Sequence, residues 1–142
     1  MSDNRILLLI SLVFLMTISG VSANDEIINM NINGHNIDVR LENNSATNEL
    51  VKKLQDGNIT IKAKDYGNFE KVGNLGFSLP ASDENVNTSP GDIVLYQGNQ
   101  ISLFYDSHSW SYTKLGKVQN ITSDELISIL GSGDVDMILS LK

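Results

Sequence analysis

Residues 28–41 read Ile-Asn-Met-Asn-Ile-Asn-Gly-His-Asn-Ile-Asp-Val-Arg-Leu, and this stretch decides the class of fold. Apolar residues occupy every second position up to Ile32 and again from Ile37, which is the period of a strand with one buried face. The Asn33-Gly34 pair between the two runs is typical of a two-residue hairpin turn. The sequence therefore predicts an antiparallel hairpin at the start of a β-rich domain.

Further short strand signals and two helix signals follow this hairpin. Apolar residues on one face predict a helix over residues 46–55, with Ser45 as its cap. Thr122 and Glu125 form a capping box, which predicts a second helix after Thr122. Strands are predicted over residues 58–64, 93–96, 101–105, 112–118 and 135–141, turns at Pro90-Gly91 and Gly98-Asn99, and short irregular strands and loops between 65 and 90. This order favours a closed or nearly closed β-barrel, because closure leaves few strand edges exposed.

The N-terminus has the layout of a secretory signal. Arg5 precedes the apolar residues 6–18, and the small residues Val-Ser-Ala follow at 21–23. As a helix the apolar stretch would reach about 20 Å, short of the roughly 30 Å of a bilayer core. We therefore expect a cleaved signal at 1–23 and one secreted or cell-envelope domain at 24–142. The alternative is an uncleaved anchor, which would be the only membrane contact.

Composition excludes several classes of function. The 142 residues carry 17 acidic and 10 basic side chains, a net charge of −7, so a nucleic acid partner is not expected. There is no cysteine, which excludes thiol chemistry and disulfides and leaves the core to hold the domain together. We expect a monomer.

Several short segments, taken in order, resemble the cyclophilin-like domain family, a set of small bacterial and archaeal proteins distinct from the true cyclophilins. The segments that carry the resemblance are NSAT (44–47), DYGNFEKVG (65–73), PGDI (90–93), SLFY (102–105) and SYTKLGKV (111–118). The resemblance implies a cyclophilin-type barrel of about eight strands with helices at its ends. It implies little about activity, since a shared fold does not fix a function.

True cyclophilins isomerise proline bonds with the help of an arginine. The corresponding third strand here has no arginine, and Arg40 is predicted to face solvent from the second strand. Lys62 or Lys64 offers only a point charge instead of a planar fork. Each tenfold acceleration needs about 1.4 kcal/mol, so efficient isomerisation is not expected.

No other catalytic or metal chemistry is indicated. His35 and His108 are interpreted as loop histidines, and a metal site would require both to converge with a carboxylate such as Asp106. Nucleophile elbows, phosphate loops and dinucleotide fingerprints are absent from the sequence. We therefore expect no cofactor, no metal and no catalytic residue.

Aromatic and polar residues cluster in the segments that carry the resemblance. We predict that a groove on the barrel wall binds a peptide or small ligand through Tyr66, Phe69, Glu70, Phe104, Tyr105, Trp110 and Tyr112. The alternative is that these aromatic side chains pack in the core, with one member of the Phe104-Tyr105 pair inside the barrel. Residues 106–111 are predicted to form a polar loop. Glu70 and Lys71 either bind charged ends of a ligand or pair on the surface, and surface pairing is the default.

The resulting hypothesis is an exported binding domain that is not an enzyme. A divergent peptidyl-prolyl isomerase without the usual arginine is one alternative. A structural envelope protein is another, and it would require a smooth surface with buried aromatic side chains.

Overall fold

The computed structural model describes residues 26–142, so the signal predicted over 1–23 lies outside the described residues. The strands are β1 (Ile27–Ile32), β2 (His35–Leu41), β3 (Ile59–Tyr66), β4 (Glu70–Asn74), β5 (Glu84–Thr88), β6 (Asp92–Tyr96), β7 (Gln100–Phe104), β8 (His108–Val118) and β9 (Val135–Leu141). The helices are α1 (Ser45–Gln55) and α2 (Ser123–Leu130). Neither helix is long and apolar enough to cross a bilayer, and this holds for the described residues only.

Eight of these strands form a closed ring. Going round it, the order is β2, β1, β9, β3, β4, β7, β6 and β8, and β8 pairs back onto β2. The closing contact is short, with Val39 opposite Val118 and Leu41 opposite Gly116. A Cβ on Gly116 would lie 2.5 Å from the carbonyl oxygen of Arg40, so only glycine fits where the ring closes. The predicted closed, mainly β architecture is confirmed.

Local sequence signals explain the tight turns. The β1–β2 hairpin has the predicted register, and Asn33 and Gly34 both adopt positive φ, as a two-residue hairpin turn of the right twist requires. The β6–β7 turn spans residues 97–99 and contains the predicted Gly98-Asn99 pair. It begins one residue before that pair, because Gln97 and Gly98 adopt positive φ and the N–H of Asn99 donates to the carbonyl oxygen of Tyr96.

Both helices occur where the sequence predicts them. The capping box of α2 consists of Thr122 and Glu125, as expected. The cap of α1 is Asn44 rather than Ser45, because the Asn44 side chain accepts from the backbone N–H of Thr47, whose hydroxyl accepts from the N–H of Asn44.

The ring encloses the main core. Strands β1 and β2 alternate as predicted and direct their apolar residues inward, and both helices add apolar side chains to the same cluster. The inner face of β7 contributes Ile101 and Leu103. This cluster excludes water from the centre of the domain, which is the main stabilising term in a chain without disulfides.

A second layer lies outside the ring. The first half of β8, residues 108–112, leaves the ring and pairs with β5. We call β5 together with residues 108–112 the arm. A register shift near Val94, where β6 pairs with β8, is the kind of bulge that bends a strand. The predicted polar loop over 106–111 is therefore wrong, because His108 already begins β8. The sequence contains only a weak signal for a strand at the start of β8, because this strand depends on its pairing with β5, which is distant in sequence.

The arm covers a smaller apolar cluster on the outer wall, formed by Val86, Val94, Phe104 and Tyr112. Phe104 is fully buried here and not inside the ring. Strands β6 and β7 are consequently buried on both faces, which gives the outer wall a rigid base.

Lys71 is the unexpected member of the interior. Its side chain has 0% exposure, on the same face of the sheet as its core partner Leu103 in β7. The ammonium group donates to the carbonyl oxygens of Gly131 (3.0 Å) and Gly133 (2.6 Å) in the α2–β9 loop, and lies 3.1 Å from the Asp65 carboxylate. The predicted surface pairing of Glu70 with Lys71 is wrong, because consecutive strand residues point to opposite faces.

Replacing Lys71 with methionine is expected to lower the free energy of unfolding by about 3 kcal/mol, because it breaks a buried ion pair and leaves two carbonyl oxygens without their ammonium donor. Lys62→Met is the matched control, since Lys62 is an exposed lysine 3.6 Å from Asp136. The control should cost less than about 1 kcal/mol. Urea denaturation of both variants measures the difference, and equal losses would show that the Lys71 contacts do not stabilise the fold.

Candidate ligand-binding groove

A groove of about 720 Å³ lies between the arm and the ring wall. It is lined by Tyr66, Gly67, Phe69, Glu70, Val72, Tyr96, Gln100, His108, Trp110 and Tyr112. One side is formed by the β3–β4 turn, the floor by β4, β6 and β7, and the other side by alternate residues of β8. The size is that of a small-molecule or peptide-anchor site.

The structure brings five of the seven sequence-predicted residues together in this groove. The five are Tyr66, Phe69, Glu70, Trp110 and Tyr112. Phe104 lies directly beneath them, parallel to Phe69 at 6.1 Å between ring centroids. Tyr105 is not part of the groove, because it packs against the main core and its hydroxyl donates to Asp65.

Strand alternation explains one side of the groove. His108, Trp110 and Tyr112 lie at every second position of β8, so their side chains project from one face. The ring of His108 stacks on Phe69 with 4.1 Å between centroids and 13° between planes. His108 is thus a wall residue of the groove rather than the loop histidine that the sequence predicts.

The β3–β4 turn shapes the opposite side. Gly67 and Asn68 both have positive φ, which closes a two-residue turn between Tyr66 and Phe69. A Cβ at Gly67 would lie 2.2 Å from the Phe69 ring, so glycine lets that ring fold back over the turn. Tyr66 meets Phe69 edge to face at 5.9 Å.

Glu70 is the one carboxylate in the groove. Only 7% of the residue is exposed, and the Ser102 hydroxyl donates to its Oε1 at 2.9 Å. Burial raises the pKa of Glu70 above its ordinary value of 4.5, although the Ser102 hydrogen bond and the charge of His108 act in the opposite direction. Burial and the charge of Glu70 also raise the pKa of Tyr112 to about 12, so its hydroxyl stays protonated.

Behind the groove, a second set of polar groups holds the β3–β4 turn in place. Tyr105 and then Lys71 hold the pKa of Asp65 below its ordinary value, although partial desolvation opposes them. The backbone N–H groups of Tyr105 and Asp106 donate to the carbonyl oxygen of Phe69, at 2.9 and 3.3 Å. The groove wall is therefore anchored from the interior of the ring.

Sequence reasoning missed half of the lining. The missed residues are Gly67, Val72, Tyr96, Gln100 and His108. For Val72 a signal existed, since period two places it on the same face as Glu70. Gln100 lies in β7, which pairs directly with β4, and this pairing was not evident from the sequence. Gly67 reaches the groove because of the conformation of the β3–β4 turn, and His108 reaches it because of the course of the arm.

The other charged candidates lie elsewhere. His35 lines a separate depression, so the two histidines do not converge, and no three metal-ligating side chains cluster within residues 26–142. Lys62 pairs with Asp136 on the exposed surface, and neither Lys62 nor Lys64 is among the groove residues. Arg40 is exposed in β2, as expected.

Two aromatic side chains are exposed at the groove. Tyr66 is 64% exposed and Trp110 is 59% exposed. The structural-protein alternative required a smooth surface with buried aromatic side chains, and the surface of the described domain does not have that character.

Together, the closed ring of eight strands and the two helices define a mainly β domain of cyclophilin type. Residues 30–142 match the cyclophilin-like family, and the chain belongs to that family. A hypothetical protein of Archaeoglobus fulgidus, whose structure was solved in solution, is similar with a TM-score of 0.59 and 14% sequence identity. The similarity covers 84% of this chain and 96% of that one, and at this identity it shows the fold alone. No curated protein matches the sequence.

The raised pKa of Glu70 gives a test of its burial. A raised pKa in the folded state means that the protonated form is favoured there, so stability is lost as pH rises from 4.5 through that pKa. Glu70→Gln keeps the acceptor for Ser102 but cannot ionise. Its Tm should exceed that of the wild type at pH 7 and approach it at pH 4.

Thermal unfolding at both pH values measures this difference. Glu84→Gln is the control, because Glu84 is an exposed carboxylate that pairs with Lys114 at 3.8 Å. It should show no gain in Tm at pH 7. A Tm difference for Glu70→Gln that does not change with pH would contradict the burial of an ionisable group at this position.

Proposed function

We propose that this cyclophilin-like domain is an exported binding module and that its groove holds a peptide or a small ligand. The observation that carries the proposal is the exposure of Tyr66 and Trp110 on either side of a groove with a rigid floor. The exposed aromatic side chains contact water in the free protein, and a bound ligand would bury their apolar surface, which is favourable. Rigid aromatic anchors around a pocket are the usual energetic centre of a binding site.

The chemistry of the groove favours binding over catalysis. Its titratable groups are one buried carboxylate, one histidine and tyrosines, and none of the described lining residues is lysine or arginine. A strong cation beside a twisted proline amide, as an efficient isomerase needs, therefore has no source in the groove. Isomerisation is kept as an outcome of the test below.

The first test combines binding and isomerisation. We expect that NMR exchange spectra of a panel of Xaa-Pro peptides show shift changes on addition of the full chain, without faster cis/trans exchange. Faster exchange would make the groove an active site without arginine. If neither the peptides nor a set of small polar ligands respond, the groove is not a binding site for these classes.

A matched pair of variants localises the binding. Tyr66→Ala removes an exposed ring from the groove, and Ile127→Ala removes a 45% exposed side chain from α2, outside it. Tyr66→Ala should weaken binding about tenfold or more, as loss of an aromatic anchor does. Ile127→Ala should leave affinity unchanged, and equal effects would contradict the assignment of the groove.

The export part of the proposal is supported by the signal layout of residues 1–23. Mass spectrometry of the protein recovered outside the cytoplasm of the producing cell should find a chain that begins at Asn24. Recovery of the intact N-terminus in the membrane fraction would instead support an uncleaved anchor.

A further inference from the structure

The carboxylate of Glu70 has a protein partner for only one of its two oxygens. Ser102 donates to Oε1. Within residues 26–142, no fully buried side-chain oxygen or nitrogen lacks a hydrogen-bond partner. The second oxygen of Glu70 has no partner in this part of the chain, so it must keep surface, and that surface opens into the groove.

Lys71, the next residue in β4, shows which contacts a buried charge makes in this protein when it stabilises the fold. The Lys71 ammonium meets three oxygen acceptors, one for each of its protons, and lies 5.5 Å from the centre of the Tyr105 ring. Glu70 is nearly as buried but has a single hydroxyl donor. A buried charge is costly unless it is paired and hydrogen-bonded, so the groove lacks a partner for this carboxylate.

The rings around Glu70 have the chemistry of a cation site. Tyr66, Phe69, Tyr96, Trp110 and Tyr112 line the same groove. The face of an aromatic ring carries negative charge density and attracts ammonium groups, most strongly where water is excluded. These rings line the same groove as the unpaired oxygen of Glu70, and both the rings and the carboxylate attract positive charge.

Among the residues that the structure describes, the groove contains one weak base and no permanently charged cation of its own. None of the ten described lining residues is lysine or arginine, and His108 is the only basic side chain among them. Lys64 is exposed opposite Val72 in β3 but does not line the groove, and Lys114 pairs with Glu84 beside a different depression. The net charge of −7 favours the approach of cations over anions.

We propose that the ligand of this groove carries an ammonium group, which lies among the aromatic rings and pairs with the open oxygen of Glu70. This inference rests on the proposed function and adds the chemistry of the ligand. The ammonium group belongs either to a small free amine or to a lysine side chain of a peptide, and the two sources share the same recognition.

Two pairs of probes test the charge and separate the two sources. Choline and 3,3-dimethylbutan-1-ol have nearly the same shape, but only choline is charged. A blocked Gly-Lys-Gly peptide and its Nε-acetylated form make the corresponding pair for a peptide. Each is titrated into the full chain and followed by the fluorescence of Trp110, which is the one tryptophan in the sequence.

The charged member of at least one pair should bind about tenfold or more tightly than its neutral partner, as expected for a cation–π contact beside a carboxylate. The lysine ammonium can also donate a hydrogen bond to Glu70, whereas the quaternary nitrogen of choline has no proton to donate. Glu70→Gln should reduce this ratio several-fold and leave the part that the aromatic rings contribute. Glu84→Gln changes the net charge by the same amount outside the groove and should leave the ratio unchanged. A preference in the choline pair alone points to a free amine, and one in the peptide pair alone points to lysine.

A second pair of variants tests the contribution of the aromatic rings independently of Glu70. Tyr66→Phe keeps the ring and should keep the preference for the charged probe, whereas Tyr66→Leu should reduce it several-fold. Equal affinity for charged and neutral members in both pairs would overturn the cation inference and leave the binding module intact. Failure of all four probes to bind would also overturn it, and the Xaa-Pro titration would then judge the groove separately.

Discussion

Strand β4 carries two opposite charges, Glu70 and Lys71, at adjacent positions and therefore on opposite faces of the sheet. The domain depends on the contacts that each charge makes. Lys71 points inward and ties the α2–β9 loop to Asp65 of β3. Asp65 in turn accepts from Tyr105, whose backbone N–H donates to Phe69 in the groove wall. The buried ammonium thus anchors the end of the ring and the turn that carries the aromatic side of the groove.

Glu70 shows the other half of this arrangement. Its face of β4 is covered incompletely, because the arm leaves the ring and encloses a groove instead of a continuous second core. The aromatic side chains there have a firm base in the cluster around Phe104, yet two of them remain exposed. Membership of the cyclophilin-like family explains the ring but not this groove, since function depends on the site and not on the fold.

The local part of the structure could be predicted from the sequence, and the non-local part could not. Alternating residues and Asn33-Gly34 specify the first hairpin, and Thr122 specifies the start of α2, because these signals act over a few residues. The aromatic cluster indicated half of the residues that line the groove. The arm was missed because β5 and the start of β8 pair only with each other and gain their burial against the distant ring wall. Lys71 was misplaced because its two carbonyl acceptors lie some sixty positions later.

The most direct test of the account is a map of backbone amide shifts for the full chain on titration with a small organic amine. If the groove is the binding site, the largest shifts occur in residues 66–72 and 108–112, on both sides of it, and they saturate together. Shifts confined to other surfaces, or absent at every accessible concentration, would contradict the claim that Glu70 and its aromatic neighbours form a ligand site.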